Sequence, residues 1–204
     1  MTATPARLEA TEALLDAAEA MLVEVGYAGI TTRKLAERAG VNHGLVHYYF
    51  GSMEDLLLRV VERFTERLIE RQEAMYVADI PFIEKWRQAM RFLDEDSDSG
   101  YHKVWFEMQA LAWNNDAVRA RLQRVTQRWV DVVLAAFETG LTELGVDRRR
   151  FPTKAVVSLV VTFNQGIMVE RLLGFDSGHR ELLRMVDRTL ERLWEAQKDA
   201  SAGA

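Results

Sequence analysis

The chain contains 204 residues, which is enough for one or two small domains, and 49% of them are apolar, so it can bury a substantial core. The formal charge of −5 excludes a polybasic tail and a uniformly cationic nucleic-acid binder, although it leaves room for a local basic surface. Because the sequence has no Cys, it has no disulfide, no Cys-ligated zinc and no thiol nucleophile.

The sequence has neither the features of a signal peptide nor those of a membrane span. The first residues lack the basic start and the apolar run of a signal peptide. The most apolar stretch, residues 155–161, is far shorter than the roughly 20 residues that a membrane span needs. We therefore expect a cytoplasmic protein without a membrane partner.

Helical periodicity runs through almost every window, and no segment has the alternation expected of a strand. Gly residues and capping residues divide this periodic sequence into helices. A first helix stops at Gly26, and its apolar face carries Leu14, Ala18, Met21, Leu22 and Val25. A short second helix is predicted to begin after Thr31 and to end at Gly40. A third is capped by Asn42 and ends near Phe50. A capping box of Ser52 and Asp55 begins a long fourth helix.

Five further helices complete an all-α chain of about nine helices. Pro81 opens the fifth. The other predicted boundaries are Tyr101 to about Trp113, Asn115 or Asp116 to Leu144, Pro152 to Gly174, and Ser177 or Gly178 to about Gln197, with a frayed tail from Asp199 to Ala204.

Residues 94–100 form an acidic segment whose alternating Asp residues invite a calcium-binding interpretation. An EF-hand loop counted from Asp94 needs Gly at its sixth position and Glu at its twelfth, where this chain has Ser99 and Trp105. We therefore predict a solvated loop, with no metal and no cofactor.

The second and third helices, joined by Gly40-Val41-Asn42, have the pattern of a helix-turn-helix. On a helical wheel Val46, Tyr49 and Phe50 share the side that packs inward. The opposite side, with its margins, consists of Gly44, His47, Tyr48, His43 and Leu45. Two imidazoles, a phenol and a Gly on one outer face suit a helix that enters a DNA groove, where they can contact phosphates or base edges.

The charge distribution supports DNA binding in this region. Residues 31–52 contain Arg33, Lys34 and Arg38 against a single acid, whereas residues 1–30 contain one base against five acids. A local positive patch therefore accompanies the proposed groove-facing helix. The alternative is a helical hairpin buried against the rest of the protein, which the same spacing would permit.

The stretch ITTRKLAERAGVNHGLVHYYFGSMEDLL resembles the DNA-binding region of TetR-type transcriptional regulators. The resemblance covers roughly residues 10–60 and includes Thr32-Arg33, Leu35-Ala36, Ala39-Gly40-Val41, Tyr49-Phe50 and Ser52. It implies a helix-turn-helix domain over residues 1–51 and a helical effector-binding and dimerisation domain over residues 52–204. Carried over from the family, the positions that contact DNA are Thr32, Arg33, His43, Gly44, Leu45, His47 and Tyr48.

The same resemblance implies a homodimer on a double-stranded, palindromic operator, which is released when a small molecule binds the C-terminal domain. Two positions depart from the family pattern. Leu45 replaces a small polar residue and can contact a thymine methyl group. Met53 stands where a phosphate-binding Lys is common, so operator affinity is expected to be weaker.

The last two helices are rich in apolar residues, more than the core of one small domain requires. We expect a two-fold four-helix interface, with a monomer core as the alternative. The residues predicted at this interface are Val160, Phe163, Ile167, Leu183, Val186 and Leu190.

Four of the five Trp residues lie between residues 86 and 129, together with several Met residues. Such stripes are either core or the wall of an effector pocket for a mostly apolar ligand. The predicted pocket residues are Trp86, Met90, Trp105, Met108, Gln109, Trp113, Trp129, Phe163 and Asn164.

Enzyme signatures are missing from the sequence. It contains no Gly-rich phosphate loop, no GxSxG, no HExxH and no Glu-x-x-His pair. We therefore expect that the protein is not an enzyme. We expect a ligand-responsive DNA-binding regulator that acts as a repressor. The alternative is a helical protein-interaction module or small-molecule-binding protein that has lost DNA binding.

Overall fold

A computed structural model describes residues 5–175 and 178–202, and within these ranges it contains nine α-helices and no strand. The helices are α1 (Pro5–Gly29), α2 (Thr32–Ala39), α3 (Gly44–Phe50), α4 (Met53–Val77), α5 (Phe82–Asp98), α6 (Tyr101–Ala112), α7 (Asp116–Glu143), α8 (Thr153–Leu172) and α9 (His179–Ala202). The all-α prediction is confirmed.

The described chain forms two compact units, and α4 and α7 each contribute residues to both. The first unit comprises the residues up to Leu68 and Asp98–Thr126, and the second comprises Ile69–Ser97 and the residues from Gln127 onwards. These compact units differ from the predicted domains, residues 1–51 and 52–204. The predicted domains were assigned by function, DNA binding in one and effector binding with dimerisation in the other, and that assignment stays a prediction.

Each unit has its own apolar core. In the first, side chains from α1, α2, α3, α4, α6 and the start of α7 pack together, with Leu14, Leu22, Leu35, Val46 and Leu56 fully buried. In the second, the core consists of Phe82, Trp86, Val133, Phe137, Leu144 and Val157. Residues of α9 pack half-buried against this second core.

The short helices begin and end where their capping residues predict. The Thr31 hydroxyl accepts a hydrogen bond from the Lys34 amide, and Gly40 ends α2 in the left-handed region at φ 67°. The Ser52 hydroxyl and Asp55 bond to each other across the first turn of α4, at 3.0 Å. Asn42 lies one residue before the cap position of α3, but its side chain still accepts from the Gly44 amide at 2.9 Å.

The predicted end of α1 at Gly26 is a break within a longer helix. Gly26 has φ 70° and ψ 176°, and helical structure resumes after it as far as Gly29. Val25, which was predicted on the buried face, is 53% exposed and lies directly before the break. The other four residues of that predicted face are buried.

The acidic loop predicted at residues 94–100 is wrong for most of its length, since α5 continues to Asp98. Ion pairs explain the extension. Arg71 bonds to both carboxylate oxygens of Asp96 at 2.7 and 2.8 Å, and Arg171 bonds to Asp94 at 2.7 Å. These partners lie far away in the sequence and offset the repulsion between neighbouring carboxylates. No group of three or more potential metal ligands occurs in the described ranges.

The C-terminal helix α9 begins at His179 and is longer than predicted. Residues 199–202, which were expected to fray, are helical. Ser177, named as one possible start of this helix, and residues 203–204 lie outside the described residues.

Candidate nucleic-acid interface

The seven-residue helix α3 is positioned by burial of one side. Val46 is 0% exposed, and Tyr49 and Phe50 pack half-buried against the first core. A helix of this length has no stability of its own in water, so these contacts determine both its existence and its orientation.

The opposite side of α3 faces solvent. Gly44, His47 and Tyr48 are exposed, with Tyr48 at 74%, and His43 is exposed just before the helix. Leu45 is half-buried at the margin. In the first turn of α2, Arg33 is exposed and Thr32 is half-buried. The predicted contact residues are thus accessible, and their contact with DNA stays a prediction.

The hydrogen bond of His47 fixes what its ring can offer to DNA. Its Nδ1 lies 3.1 Å from the carbonyl oxygen of Gly51. Because a carbonyl oxygen only accepts, Nδ1 carries the proton and donates, and the exposed Nε2 of the neutral ring is an acceptor. In the major groove such an acceptor matches the amino group of adenine or cytosine.

The basic patch is smaller than the sequence indicates, because Arg38 is already paired. Its guanidinium makes two hydrogen bonds to the Glu24 carboxylate, at 2.5 and 2.7 Å. The hydrogen bond from Arg38 lowers the pKa of Glu24, so this carboxylate stays ionised. Across the described ranges no ion pair involves Arg33 or Lys34, which leaves these two cations available for phosphates.

Met53 begins α4 and packs half-buried against the first core. Its side chain therefore has an apolar partner within the protein and supplies no charge for a phosphate. The neighbouring Glu54 accepts a hydrogen bond from the Tyr27 hydroxyl at 3.3 Å.

The sequence model described as "Bacterial regulatory proteins, tetR family" matches residues 14–60, which include α2, α3 and the start of α4. The DNA-binding segment of the chain, residues 14–60, is that of a TetR-family regulator. It is 25% identical over 173 residues to the uncharacterized HTH-type transcriptional regulator YfiR of Bacillus subtilis (strain 168), a match that covers 80% of each chain.

Two further relatives show how far the likeness extends. The HTH-type transcriptional repressor Rv3405c of Mycobacterium tuberculosis (strain ATCC 25618 / H37Rv) is 35% identical over 74 residues, which are 36% of this chain and 39% of that one. The transcriptional regulator FadR from Bacillus subtilis, solved in complex with stearoyl-CoA, has the same fold. Its TM-score is 0.70 at 17% identity, over 89% of this chain and 96% of that chain. The chain is therefore a DNA-binding transcriptional regulator.

The predicted effector-pocket residues of this TetR-family chain divide between the two compact units. Trp105 and Met108 belong to the first core, Gln109 is half-buried on the same helix, and Trp113 is 81% exposed at its end. The residues in the second unit are Trp86, Met90, Trp129, Phe163 and Asn164. Within the second unit Trp129 donates to Gln72 at 2.8 Å, and Asn164 has a buried amide oxygen without a hydrogen-bond partner.

A groove of about 310 Å³ in the second unit was missed by the sequence reasoning. It is lined by Glu73, Tyr76, Val77, Phe82, Lys85, Val132, Ala135, Ala136, Thr139, Gly140 and Glu143. Small residues on α7 create the space, and a search for Trp and Met stripes overlooks such residues. Spacing of small residues along the middle of the seventh helix is the signal that could have found it.

The residues predicted at the dimer interface contact the core of the protomer. Ile167 is 2% exposed, and Val160, Leu183, Val186 and Leu190 pack half-buried against the second core. Phe163 is half-buried. A different face of α8 is exposed, and Leu173, directly after the helix, continues it. The residues of this face are Ala155, Ser158, Leu159, Thr162, Gly166, Val169 and Leu173. Whether a second copy covers the predicted residues stays a prediction.

We expect Arg33→Ala and Lys34→Ala to weaken binding to any DNA and to make it less sensitive to salt. Each lost phosphate contact lowers the slope of log affinity against log salt by about 0.9, or about 1.8 for two half-sites. Fluorescence anisotropy of a labelled duplex between about 50 mM and about 200 mM salt measures this slope. Arg38→Ala is the matched control and leaves the slope nearly unchanged. An equal loss of slope in that control would show that Arg38 is not held by Glu24 in solution.

Proposed function

We propose that this regulator is a homodimeric repressor that leaves a palindromic operator when a small, mostly apolar molecule binds its second unit. The observation that supports DNA reading most directly is α3, which is buried on one side and exposes His43, Gly44, His47 and Tyr48 on the other. Thr32, Arg33 and Leu45 complete the proposed contact set. The relative named as a repressor supports the direction of regulation.

The proposed division of labour places DNA reading in residues 1–51 and effector binding and dimerisation in residues 52–204. Helix α4 connects these functions, since it begins beside the reader at Met53 and contributes residues to both compact units. A small molecule that alters the second unit can then change operator affinity through a continuous element.

The exposed face of α8 supports dimerisation. Its seven residues, from Ala155 to Leu173, include no charged side chain, and Leu159 is 70% exposed. At Gly166 an added Cβ would meet no atom within 4 Å, so a second helix could approach closely there. Exposed apolar surfaces of this kind mark interfaces. Helix α9 adds the exposed Met185 and Leu193.

A bilayer is the other environment that could cover α8. This helix alone, among the described residues, is long and apolar enough to cross a membrane, and only 11% of its most apolar 18-residue window is buried. A second copy accounts for the uncovered face without a membrane. We therefore propose a cytoplasmic dimer.

We expect the wild-type protein to sediment as a symmetric dimer at micromolar concentration and Leu159→Arg to dissociate it. An unpaired charge in an apolar interface should raise the dimer Kd by about 100-fold or more. The control is Val77→Arg, which places the same charge on an apolar residue that is 83% exposed at the end of α4. An unchanged dimer in Leu159→Arg, or a wild-type monomer, would contradict this interface.

The groove in the second unit supports effector binding. Two of its polar side chains are engaged within the protein: Lys85 donates to the Tyr76 carbonyl at 2.7 Å, and Glu143 accepts from the Phe82 amide at 2.9 Å. Burial raises the pKa of Tyr76 to about 12, so its phenol is neutral at physiological pH. The remaining lining is mainly Ala, Val and Gly. An apolar ligand with one or two polar groups fits this arrangement.

The effector experiment starts with mass spectrometry of small molecules that co-purify with the protein. Adding the identified molecule to the protein–operator complex should lower wild-type operator affinity by about 5- to 150-fold. Ala135→Trp fills the groove and should keep operator binding but lose the response. Ala120→Trp, a change of another exposed Ala on α7, should respond like the wild type.

Two outcomes would contradict this proposal. A ligand that binds tightly without changing operator affinity would exclude the regulatory role, because coupling between two sites is reciprocal. A response that survives Ala135→Trp but is lost in Asn164→Leu would place the effector among the predicted aromatic residues instead of in the groove.

A further inference from the structure

The break in α1 at Gly26 separates the Tyr27 amide from the Val23 carbonyl, and side chains of α6 bond to both groups. In an uninterrupted helix the Tyr27 amide would donate to the Val23 carbonyl. Here the Tyr27 amide donates to Glu107 Oε2 at 2.6 Å, and the Val23 carbonyl accepts from Lys103 Nζ at 3.2 Å. Lys103 and Glu107 are four residues apart and therefore share one face of α6.

Only Gly can adopt the backbone conformation found at the break, and α6 lies directly against this position. The combination of φ 70° and ψ 176° at Gly26 is a region that residues with a Cβ essentially never occupy. A Cβ at this position would also lie 2.6 Å from Glu107 Oε1. At the start of α6, a Cβ on Gly100 would lie 2.7 Å from Val23 Cγ1.

The segment after the break leads into the DNA-reading helices. The Tyr27 carbonyl accepts from the Ile30 amide at 3.2 Å, in the turn that precedes α2. The Tyr27 hydroxyl bonds to Glu54 in the first turn of α4. Immediately before the break, Glu24 holds Arg38 of α2. The direction of the chain after Gly26 thus determines the position and orientation of α2 and α3.

We propose that Glu107 is a positioning residue for DNA reading, which fixes the orientation of α2 and α3 through its hydrogen bond to the Tyr27 amide. Lys103 assists by holding the other side of the break. The Glu107 oxygen is the acceptor for a part-buried backbone amide, and its loss leaves this amide without a partner. The inference rests on the proposed use of α3 in DNA binding.

The test separates the reach of the side chain from its charge. Glu107→Gln keeps an oxygen acceptor at the same reach, whereas Glu107→Asp keeps the charge but is one methylene shorter. Glu107→Ala removes both, and Ala110→Ser is a control at an exposed position of the same helix. The DNA probes are a duplex that the wild-type protein selects from a random pool and a scrambled duplex of equal length.

We expect Glu107→Ala and Glu107→Asp to lower affinity for the selected duplex by about tenfold or more, with little change for the scrambled duplex. Glu107→Gln and Ala110→Ser should stay close to wild type. Amide hydrogen exchange supplies a readout without DNA. Exchange at Tyr27 and across α2 and α3 should accelerate in the Ala and Asp variants and not in the Gln variant.

Equal behaviour of Glu107→Asp and wild type in both assays would overturn the proposal, as would equal losses on both duplexes. If wild-type protein selects no sequence, the proposed function fails, while the exchange experiment still decides the role of Glu107 in holding the break. Unchanged exchange in Glu107→Asp rules that role out even if Glu107→Ala does not fold.

Discussion

One-sided burial of α3 is the constraint on which DNA reading by this protein depends. The helix has seven residues and cannot persist alone, so it exists only because Val46 is enclosed by the first core while Tyr49 and Phe50 pack beside it. The same contacts force Gly44, His47 and Tyr48 outwards. The stability of α3 and the exposure of the proposed reading surface therefore come from a single set of contacts, and a change in that core alters both.

The chemistry of the proposed reading surface favours recognition by shape and single hydrogen bonds over recognition by charge. Arg38 is engaged by Glu24, Met53 is packed against the core, and Arg33 and Lys34 are the exposed cations beside the reader. His47 bonds to the Gly51 carbonyl through Nδ1 and has its other ring nitrogen left for DNA, and Tyr48 offers a hydroxyl. Because phosphate contacts supply most non-specific affinity, a reader with few free cations depends more on the match to its site.

Local signals in the sequence predict the helices well, but they do not predict contacts between distant residues. Thr31, Gly40 and Ser52 act within a few residues of themselves, so their capping roles can be read directly. The helical state of Asp94 and Asp96 depends on Arg171 and Arg71, which no local rule connects to them. The pairing of Arg38 with Glu24 has the same origin.

The candidate sites show a similar limit. The outer face of α3 follows from a helical wheel because one side must be buried. On α8 both sides are apolar, so the wheel cannot distinguish the core side of Ile167 from the exposed side of Leu159. The groove in the second unit depends on where α7 meets the residues around Phe82: the Phe82 ring packs against Gly140, and Ala135 and Ala136 line the groove beside it.

Selection of bound duplexes from a random DNA pool, followed by sequencing, tests the central claim most directly. The account predicts enrichment of an inverted repeat whose half-sites are centred about 10 base pairs apart or a multiple of that spacing, because two recognition helices related by two-fold symmetry read successive major grooves. It also predicts that the enriched motif is lost when the outer face of α3 is replaced by Ala. Recovery of an unenriched pool, or of a motif that survives this replacement, would contradict the account.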